Sequence, residues 1–181
     1  MNEMIVFETR IFMFDCELNT SLLYKAIKDH QKTTESVSKS NYGGYQGHYF
    51  SNTLLQKEIK LNLPQSSNNP IRNYTLQTWV NVNTKGNWND IHNHCDQNVV
   101  LSGIYYVKVP ENSGGVRFYD PRKGNSTLYQ KYYENGKGNY LRLIPKENLM
   151  IFFPPWLEHL VEPSESDEER VSVAFNITDP S

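Results

Sequence analysis

The sequence predicts a mostly β protein, a barrel or sandwich with helices packed on its outside. From residue 74 onward, short stretches alternate apolar and polar residues, which is the period of a strand with one buried face. No helical pattern lies between these stretches, as is typical of all-β cores. Aromatic residues make up 13% of the chain and 12 residues are Tyr, a composition that favours half-buried strands.

The first part of the chain predicts an edge strand within residues 1–14, two helices and a polar loop. Asn19 can cap a helix whose apolar residues form a single stripe, and a second short helix is expected over residues 53–63. The chain of 181 residues is long enough for one domain with a full core. We therefore expect a single domain, 1–181, in which a helical and loop cap at 1–70 covers a β core at 72–181.

The β core is expected to contain six strands, and the last of them carries a cation. The strands are expected at residues 74–82, 99–109, 116–119, 140–144, 148–153 and 170–177. In the last strand, Val, Phe and Ile alternate on one face, which we expect to bury against the neighbouring sheet. Arg170 and Ser172 lie on the other face. Burying an unpaired Arg is costly, so Arg170 predicts an anion in the core, either a protein carboxylate or a bound small molecule.

Composition argues against nucleic-acid and membrane partners. The net charge is -2 and the pI about 6.2, so no strongly charged surface is indicated. No apolar run approaches the roughly 18 residues of a membrane span, and no signal peptide is visible. Cys16 and Cys95 do not make a disulfide framework. The sequence therefore predicts a soluble cytoplasmic protein.

A His-rich stretch at residues 92–96 predicts a metal site. His94 and Asp96 are two residues apart, so on an extended strand their side chains point to the same face. His159 follows much later in the chain. Two imidazoles and one carboxylate, with the remaining positions open, form the ligand set of non-haem Fe(II) oxygenases. His92 and His94 have the same spacing as His94 and Asp96, so the ligand pair has two possible registers.

Several motifs occur in an order that resembles a known enzyme family. They are His94-Cys95-Asp96, Ser102-Gly103-Ile104-Tyr105-Tyr106-Val107, Ser113-Gly114-Gly115-Val116-Arg117-Phe118, Phe152-Phe153-Pro154, His159-Leu160-Val161-Glu162-Pro163 and Arg170-Val171-Ser172. From about Tyr74 to Ile177 the chain resembles the 2-oxoglutarate/Fe(II)-dependent dioxygenases of the prolyl-4-hydroxylase-like kind. It is most similar to the small oxygenases of this kind found in phages and marine bacteria. The resemblance implies a double-stranded β-helix, a jelly-roll fold like that of the cupins.

The resemblance also implies the site residues and the reaction. Iron is expected on His94, Asp96 and His159. The cosubstrate 2-oxoglutarate is expected on Arg170, helped by Ser172 and by Tyr106, the second Tyr of the Tyr-Tyr pair. The enzyme would use O2, release succinate and CO2, and hydroxylate a C–H bond, with ascorbate as the reductant in vitro. No catalytic residue is expected beyond the metal ligands.

The two ligand registers are both compatible with the family. Many of the small phage-type relatives have His-x-His where other members have His-x-Asp. Counting back from Ser102 places His94 at the usual first ligand and so favours His94 with Asp96. Counting forward from Gly86 favours His92 with His94. A carboxylate also compensates the charge of Fe(II), so we expect His94 and Asp96, with His92 as the alternative ligand.

The acceptor is expected to be a peptide, a prolyl side chain above all, or a small molecule. The polar stretches at residues 36–50 and 120–139 predict a rim for this acceptor. Tyr42, Tyr45 and Trp88 can offer flat apolar surfaces there. Two other classes of function compete with this interpretation. One is a zinc hydrolase, which needs a general base near the metal, and Glu158, adjacent to His159, is the candidate for it. The other is an inactive cupin-like binding module.

Overall fold

The computed structural model describes residues 7–66, 70–95, 98–122 and 139–180, and two antiparallel sheets form the core of this part of the chain. The elements are β1 (Phe12–Asp15), α1 (Thr20–Thr33), β2 (Asn41–Tyr42), β3 (Tyr45–His48), α2 (Thr53–Asn62), β4 (Thr75–Asn83), β5 (Trp88–His92), β6 (Val99–Lys108), β7 (Val116–Tyr119), β8 (Tyr140–Leu143), β9 (Leu149–Phe153), β10 (His159–Val161) and β11 (Arg170–Thr178). The six-stranded sheet has the order β1-β9-β6-β11-β4-β3, and the five-stranded sheet has the order β2-β5-β10-β7-β8.

Two hydrophobic clusters cover the two faces of the six-stranded sheet. The cluster on the outer face joins Ile27 of α1 and Ile59 of α2 to Val173 of β11. The cluster on the inner face includes Phe153 of β9 and Phe118 of β7, which belong to different sheets. The apolar face of β11 is therefore buried against the helices, and the expectation that it packs against the neighbouring sheet is wrong. An alternating pattern shows which residues are buried but not which element covers them.

Both helices begin at an Asn whose side chain caps the first turn. The Asn19 carboxamide oxygen accepts from Leu22 N at 3.1 Å, and the Asn52 oxygen accepts from Leu55 N at 3.0 Å. Such caps satisfy backbone donors that have no partner inside the helix, and each contributes about 1 kcal/mol. The two helices confirm the sequence expectation, and they lie outside the sheets as predicted.

The six expected core strands are present and β1 corresponds to the edge strand expected within residues 1–14, but four other strands were not foreseen. The expected strands correspond to β4, β6, β7, β8, β9 and β11. The additional paired strands β5 and β10 are short and carry His92 and His159, and β2 and β3 lie inside a segment expected to be a loop. Short strands with polar inward faces lack the alternation that identifies a strand in the sequence.

A bridging segment, residues 41–48, joins the two sheets through β2, a tight turn and β3. Strand β2 pairs with β5 in the five-stranded sheet, and β3 pairs with β4 in the six-stranded sheet. The turn between them uses Gly43 and Gly44, whose φ angles of 66° and 69° are readily adopted only by glycine. A Cβ on Gly44 would also lie 2.9 Å from Val82 O. The bridging segment therefore packs closely against strand β4 of the core at this turn.

Within the described ranges, neither helix has the length and apolar character that a membrane-spanning helix requires.

Candidate active site

Three histidines converge where the two strands β5 and β10 pair. His92 ends β5, His159 begins β10, and the two residues are directly opposite each other in the ladder. His94 lies just beyond β5, where its backbone N donates to Pro155 O at 2.8 Å. Each imidazole offers one ring nitrogen, and these three nitrogens all lie within 4.8 Å of one another. Among the described residues, this is a group of side chains close enough to share a metal ion.

Hydrogen bonds fix the tautomer of two of these imidazoles. His92 Nδ1 lies 2.6 Å from Asp90 O, and His159 Nδ1 lies 3.0 Å from Leu157 O. A carbonyl oxygen can only accept, so Nδ1 carries the hydrogen in both rings. In the neutral imidazole this leaves the lone pair on Nε2, which is the state that binds a metal.

Burial keeps all three imidazoles neutral. Desolvation, with a smaller contribution from nearby His92, lowers the pKa of His94 to about 4. Desolvation lowers the pKa of His159 and of His92 as well, and the other two imidazoles add to the effect at His159. His94 Nδ1 is buried without a hydrogen-bond partner in the described part of the chain. Neutral rings and an unpartnered buried nitrogen fit a metal ion, because metal ligation needs deprotonated imidazoles.

Asp96 lies outside the described residues, so its expected role as a ligand stays a prediction. The structure brings His94 and His159 together as expected, and the third member of the cluster is His92, the alternative ligand. Cys95, between the two candidate ligand positions 94 and 96, is an exposed free thiol.

An enclosed pocket extends from the histidine cluster to Arg170. The residues that line this cosubstrate pocket are Ser40, Trp79, Asn81, Asn83, Asn89, His92, His94, Ile104, Tyr106, His159, Val161, Arg170, Ser172 and Ala174. All three residues expected to bind the cosubstrate, Arg170, Ser172 and Tyr106, are therefore on its wall. Ser172 and Tyr106 are cross-strand partners in the β11–β6 ladder, which places both at the same level of the sheet.

Arg170 is a buried cation in the wall of this pocket. Its side chain is 3% exposed, and Nη1 donates to Ser113 O at 2.7 Å and to Gly114 O at 3.3 Å. Burial lowers the pKa of Arg170, but a guanidinium remains charged in proteins. No Asp or Glu of the described segments forms a salt bridge with it. The two carbonyls hold the fork in place and leave its other N–H groups for an anion in the pocket.

Tyr106 supplies a neutral donor beside this cation. Its side chain is buried, and burial raises its pKa to about 12 although Arg170 opposes the shift. The hydroxyl therefore keeps its hydrogen at neutral pH. Together with the Ser172 hydroxyl and the guanidinium, it forms a set of donors suited to a carboxylate.

An open groove of about 1220 Å³ leads from the histidines to the surface. Its walls come from residues 38–43 and 46–51, from the first half of β4 and from residues 90–94, with Asn176 and Gln56 completing them. Ser40, Trp79, His92 and His94 line both this acceptor groove and the cosubstrate pocket, so they form the boundary between the two.

The expected acceptor rim is present only in part. Tyr42 lines the groove and stacks on Trp88 with centroids 4.4 Å apart, so Trp88 supports Tyr42 from behind. The Tyr45 hydroxyl donates instead to Thr34 O at 3.1 Å. The insertion is described only at its two ends, since residues 123–138 lie outside the described ranges.

Three groove or pocket residues were missed by the sequence analysis. Trp79 contacts the His94 ring at 5.4 Å, and His48 stacks on Trp79 at 6.3 Å. Asn83 lies inside the cosubstrate pocket. The available signal was the polar face of β4, where Gln77, Trp79, Asn81 and Asn83 alternate with buried Val residues. A strand facing a solvated cavity has the same pattern as a strand facing open solvent, which is why this signal was missed.

Comparisons with known proteins agree with this geometry. A family model described as "Putative 2OG-Fe(II) oxygenase" matches residues 77–176. A prolyl-4-hydroxylase of Pseudomonas putida has a similar structure, with a TM-score of 0.66 and 12% identity over 94% of this chain and 93% of that one. A prolyl hydroxylase of Trichoplax adhaerens, solved with a peptide fragment of a hypoxia inducible factor, has a TM-score of 0.67 and 13% identity over 93% and 83%.

HygX of Streptomyces hygroscopicus, solved with nickel and 2-oxoglutarate bound, has a TM-score of 0.65 and 10% identity over 95% of this chain and 84% of that one. These similarities confirm the double-stranded β-helix fold. None of the curated proteins compared with the chain matches it.

Proposed function

Because the chain belongs to the 2OG-Fe(II) oxygenase family, we propose that it hydroxylates a C–H bond of a peptidyl, prolyl-like acceptor. The chain is an enzyme, and its cofactors are Fe(II) and 2-oxoglutarate. Bound together, they supply the oxidative chemistry in which 2-oxoglutarate, O2 and the acceptor C–H group become succinate, CO2 and the hydroxylated acceptor. One observation carries the proposal: the same pocket is lined by three neutral imidazoles and by a buried guanidinium with which no carboxylate of the described residues forms an ion pair.

We assign the metal to His92, His94 and His159. The support is their mutual distance, the Nδ1–H tautomers of His92 and His159, and the unpartnered Nδ1 of His94. Three neutral ligands leave the charge of Fe(II) uncompensated, so the anionic cosubstrate becomes the partner that neutralises it. Asp96 remains the competing ligand from the sequence.

We assign the far carboxylate of 2-oxoglutarate to Arg170, with Ser172 and Tyr106 as additional donors. The guanidinium is held by two backbone carbonyls before any ligand arrives, so little rotamer entropy is lost on binding. The pocket is shielded by the two sheets, which strengthens each charge-assisted hydrogen bond.

The acceptor groove favours an extended, nearly uncharged chain. Among its lining residues only Lys39 and Asp90 carry a full charge, and most of the others are amides, hydroxyls and aromatic rings. Amides and hydroxyls can pair with peptide groups, and Tyr42 or Trp79 can pack against a prolyl ring. A peptide is also the ligand of the Trichoplax neighbour. A small-molecule acceptor is the alternative that the same groove allows.

The candidate general base of the zinc-hydrolase alternative is not buried with the histidines. Glu158 was the candidate from the sequence, but its side chain is exposed, whereas the adjacent His159 is 2% exposed. A hydrolase would also leave the buried guanidinium of Arg170 without a role. Both observations favour the oxygenase over the zinc hydrolase.

The proposed reaction is tested by succinate release. Purified protein is incubated with Fe(II), ascorbate and 2-oxoglutarate, with and without proline-containing peptides, and succinate is quantified against a reaction lacking Fe(II). We expect slow succinate formation without peptide and stimulation by an accepted peptide, whose mass increases by one oxygen atom. Absence of Fe(II)-dependent succinate under all of these conditions would reject the proposal.

A further inference from the structure

Ser40 is the residue through which the cap reaches the cosubstrate pocket. It immediately precedes the bridging segment, and its backbone O accepts from Asp90 N at 2.8 Å, which extends the pairing of β2 with β5. It lines both the pocket and the groove, in the company of His92 and His94. Of the described residues among the first 70, Ser40 alone lines the pocket, and main-chain pairing holds it beside the histidines.

A directed chain of hydrogen bonds ends on the Ser40 hydroxyl. Asn83 Nδ2 donates to Asn89 Oδ1 at 3.1 Å, and Asn89 Nδ2 donates to Ser40 Oγ at 3.2 Å. Asn83 is 2% exposed and Asn89 is 6% exposed. Because the first bond occupies the Asn89 oxygen, its amide nitrogen must face Ser40, and this fixes the direction of the chain.

The hydroxyl at the end of this chain has an unused hydrogen. Ser40 Oγ accepts from Asn89, and in the described part of the protein no acceptor receives the Ser40 hydroxyl hydrogen. A hydroxyl is one donor as well as an acceptor, and accepting a bond polarises it toward donation. The same pocket wall begins at Asn83, the cross-strand partner of Arg170, so the chain runs from the guanidinium toward the groove.

We propose that Ser40 is a cosubstrate-binding residue whose hydroxyl donates to the carboxylate of 2-oxoglutarate next to the keto group. The inference rests on the proposed function, since it needs a 2-oxo acid in this pocket with its far carboxylate on Arg170. Asn89 and Asn83 are positioning residues that aim the hydroxyl. The cap of the protein thereby contributes directly to cosubstrate affinity.

Two ligands separate the role of Ser40 from that of Arg170. The 2-oxo acid 2-oxopentanoate has the length of 2-oxoglutarate but lacks the far carboxylate. Its affinity should therefore depend on Ser40 and not on Arg170. Binding of each ligand to Ni(II)-loaded protein is measured by titration calorimetry, or by competition where binding is weak. Ni(II) avoids turnover, so the readout is independent of activity.

We expect Ser40→Ala to weaken both ligands by the same factor, about tenfold, as fits the loss of one hydrogen bond to a charged group. Ser40→Thr should restore affinity because it keeps the hydroxyl. Ser38→Ala is the matched control: Ser38 is exposed and lines the groove but not the pocket, so its binding should equal that of the wild type. Circular dichroism verifies that each variant is folded.

Three outcomes would overturn the inference. Unchanged affinity in Ser40→Ala, with Arg170→Ala losing only 2-oxoglutarate, would remove Ser40 from the site and leave the proposed function standing. Loss of 2-oxoglutarate alone in Ser40→Ala would place the hydroxyl at the far carboxylate. If Ni(II)-loaded wild-type protein bound neither ligand, the proposed function itself would fail and the inference with it.

Discussion

The cosubstrate pocket and the acceptor groove share four residues but are built in opposite ways. The pocket side chains that carry its chemistry, His159, Arg170 and Tyr106, are all less than 5% exposed and are held by backbone carbonyls or cross-strand packing. The groove is wide and open, and much of its wall comes from the bridging segment and the residues next to it, including Tyr42 at 54% exposure. Rigid, buried donors commit the pocket to one anion. The exposed groove leaves the choice of acceptor to a few surface side chains.

The largest expected effect is the loss of metal from the pocket. His159→Gln removes a buried ligand at nearly constant volume, so we expect Fe(II) affinity to fall by roughly 100-fold or more and succinate formation to disappear. Anaerobic Fe(II) titration and the succinate assay measure the two effects. His30→Gln is the control, since His30 lies on α1 outside the cluster. Full metal binding in the His159 variant would show that the cluster is not the metal site.

The next largest effect should be on cosubstrate affinity. Truncating a bidentate charge-assisted contact in a buried site costs about 2–4 kcal/mol, so Arg170→Ala should weaken 2-oxoglutarate by roughly 30-fold or more. Arg170→Lys should recover only part of this, because Lys lacks the planar fork. The dissociation constant is measured on Ni(II)-loaded protein. An unchanged value in Arg170→Ala would remove the anion site from the pocket.

The pocket should also make the metal-free protein sensitive to acid. Free His titrates near 6.5, whereas the pKa of His94 is about 4 in the folded chain and that of His159 is also depressed. Below the ordinary value the unfolded chain binds more protons, so stability is present above about pH 6.5 and is lost as the pH falls toward 4.

Each such proton contributes a slope of about 1.4 kcal/mol per pH unit. Urea unfolding of the metal-free protein between pH 7 and 4 measures this slope. His94→Gln should give a shallower slope than the wild type. Equal slopes in the wild type and in His94→Gln would contradict the neutral, desolvated state of His94.

The smallest effect is expected in the groove. Tyr42→Ala removes an exposed ring that is supported by Trp88, so an accepted peptide should bind several-fold more weakly. Affinity for 2-oxoglutarate and succinate formation without peptide should be unchanged. The Michaelis constant for the peptide is compared with that of Tyr140→Ala, a control on β8 that does not line the groove. A loss of cosubstrate binding in Tyr42→Ala would show that acceptor binding and cosubstrate binding do not depend on separate sets of residues.

The contrast between the pocket and the groove also explains which site residues could be predicted from the sequence. Strand periodicity placed Arg170 and Ser172 on one face, and both line the pocket. Tyr106, His94 and His159 also line it, and Tyr106 was expected there only from the family resemblance. The prediction that the apolar face of β11 packs against the neighbouring sheet was wrong, because periodicity does not show which element buries that face.

Residues supplied by tertiary pairing could not be found from local pattern. Ser40 reaches the pocket because the bridging segment that follows it joins both sheets. The sequence analysis predicted a loop for this part of the chain because of its Gly and Ser content. Trp79 and Asn83 were seen only as the polar face of a strand. The sequence favoured Asp96 over His92 as the ligand beside His94, although both have the required spacing to His94, so spacing alone could not decide the register.

The ligand register gives the most direct test of the site. Anaerobic Fe(II) titrations of His92→Ala and Asp96→Ala are compared with the wild type, with and without 2-oxoglutarate. We expect His92→Ala to lose Fe(II) binding and Asp96→Ala to retain it, with 2-oxoglutarate tightening Fe(II) in the wild type because it brings the missing negative charge. Retained binding in His92→Ala together with its loss in Asp96→Ala would contradict the three-histidine centre and restore the carboxylate ligand.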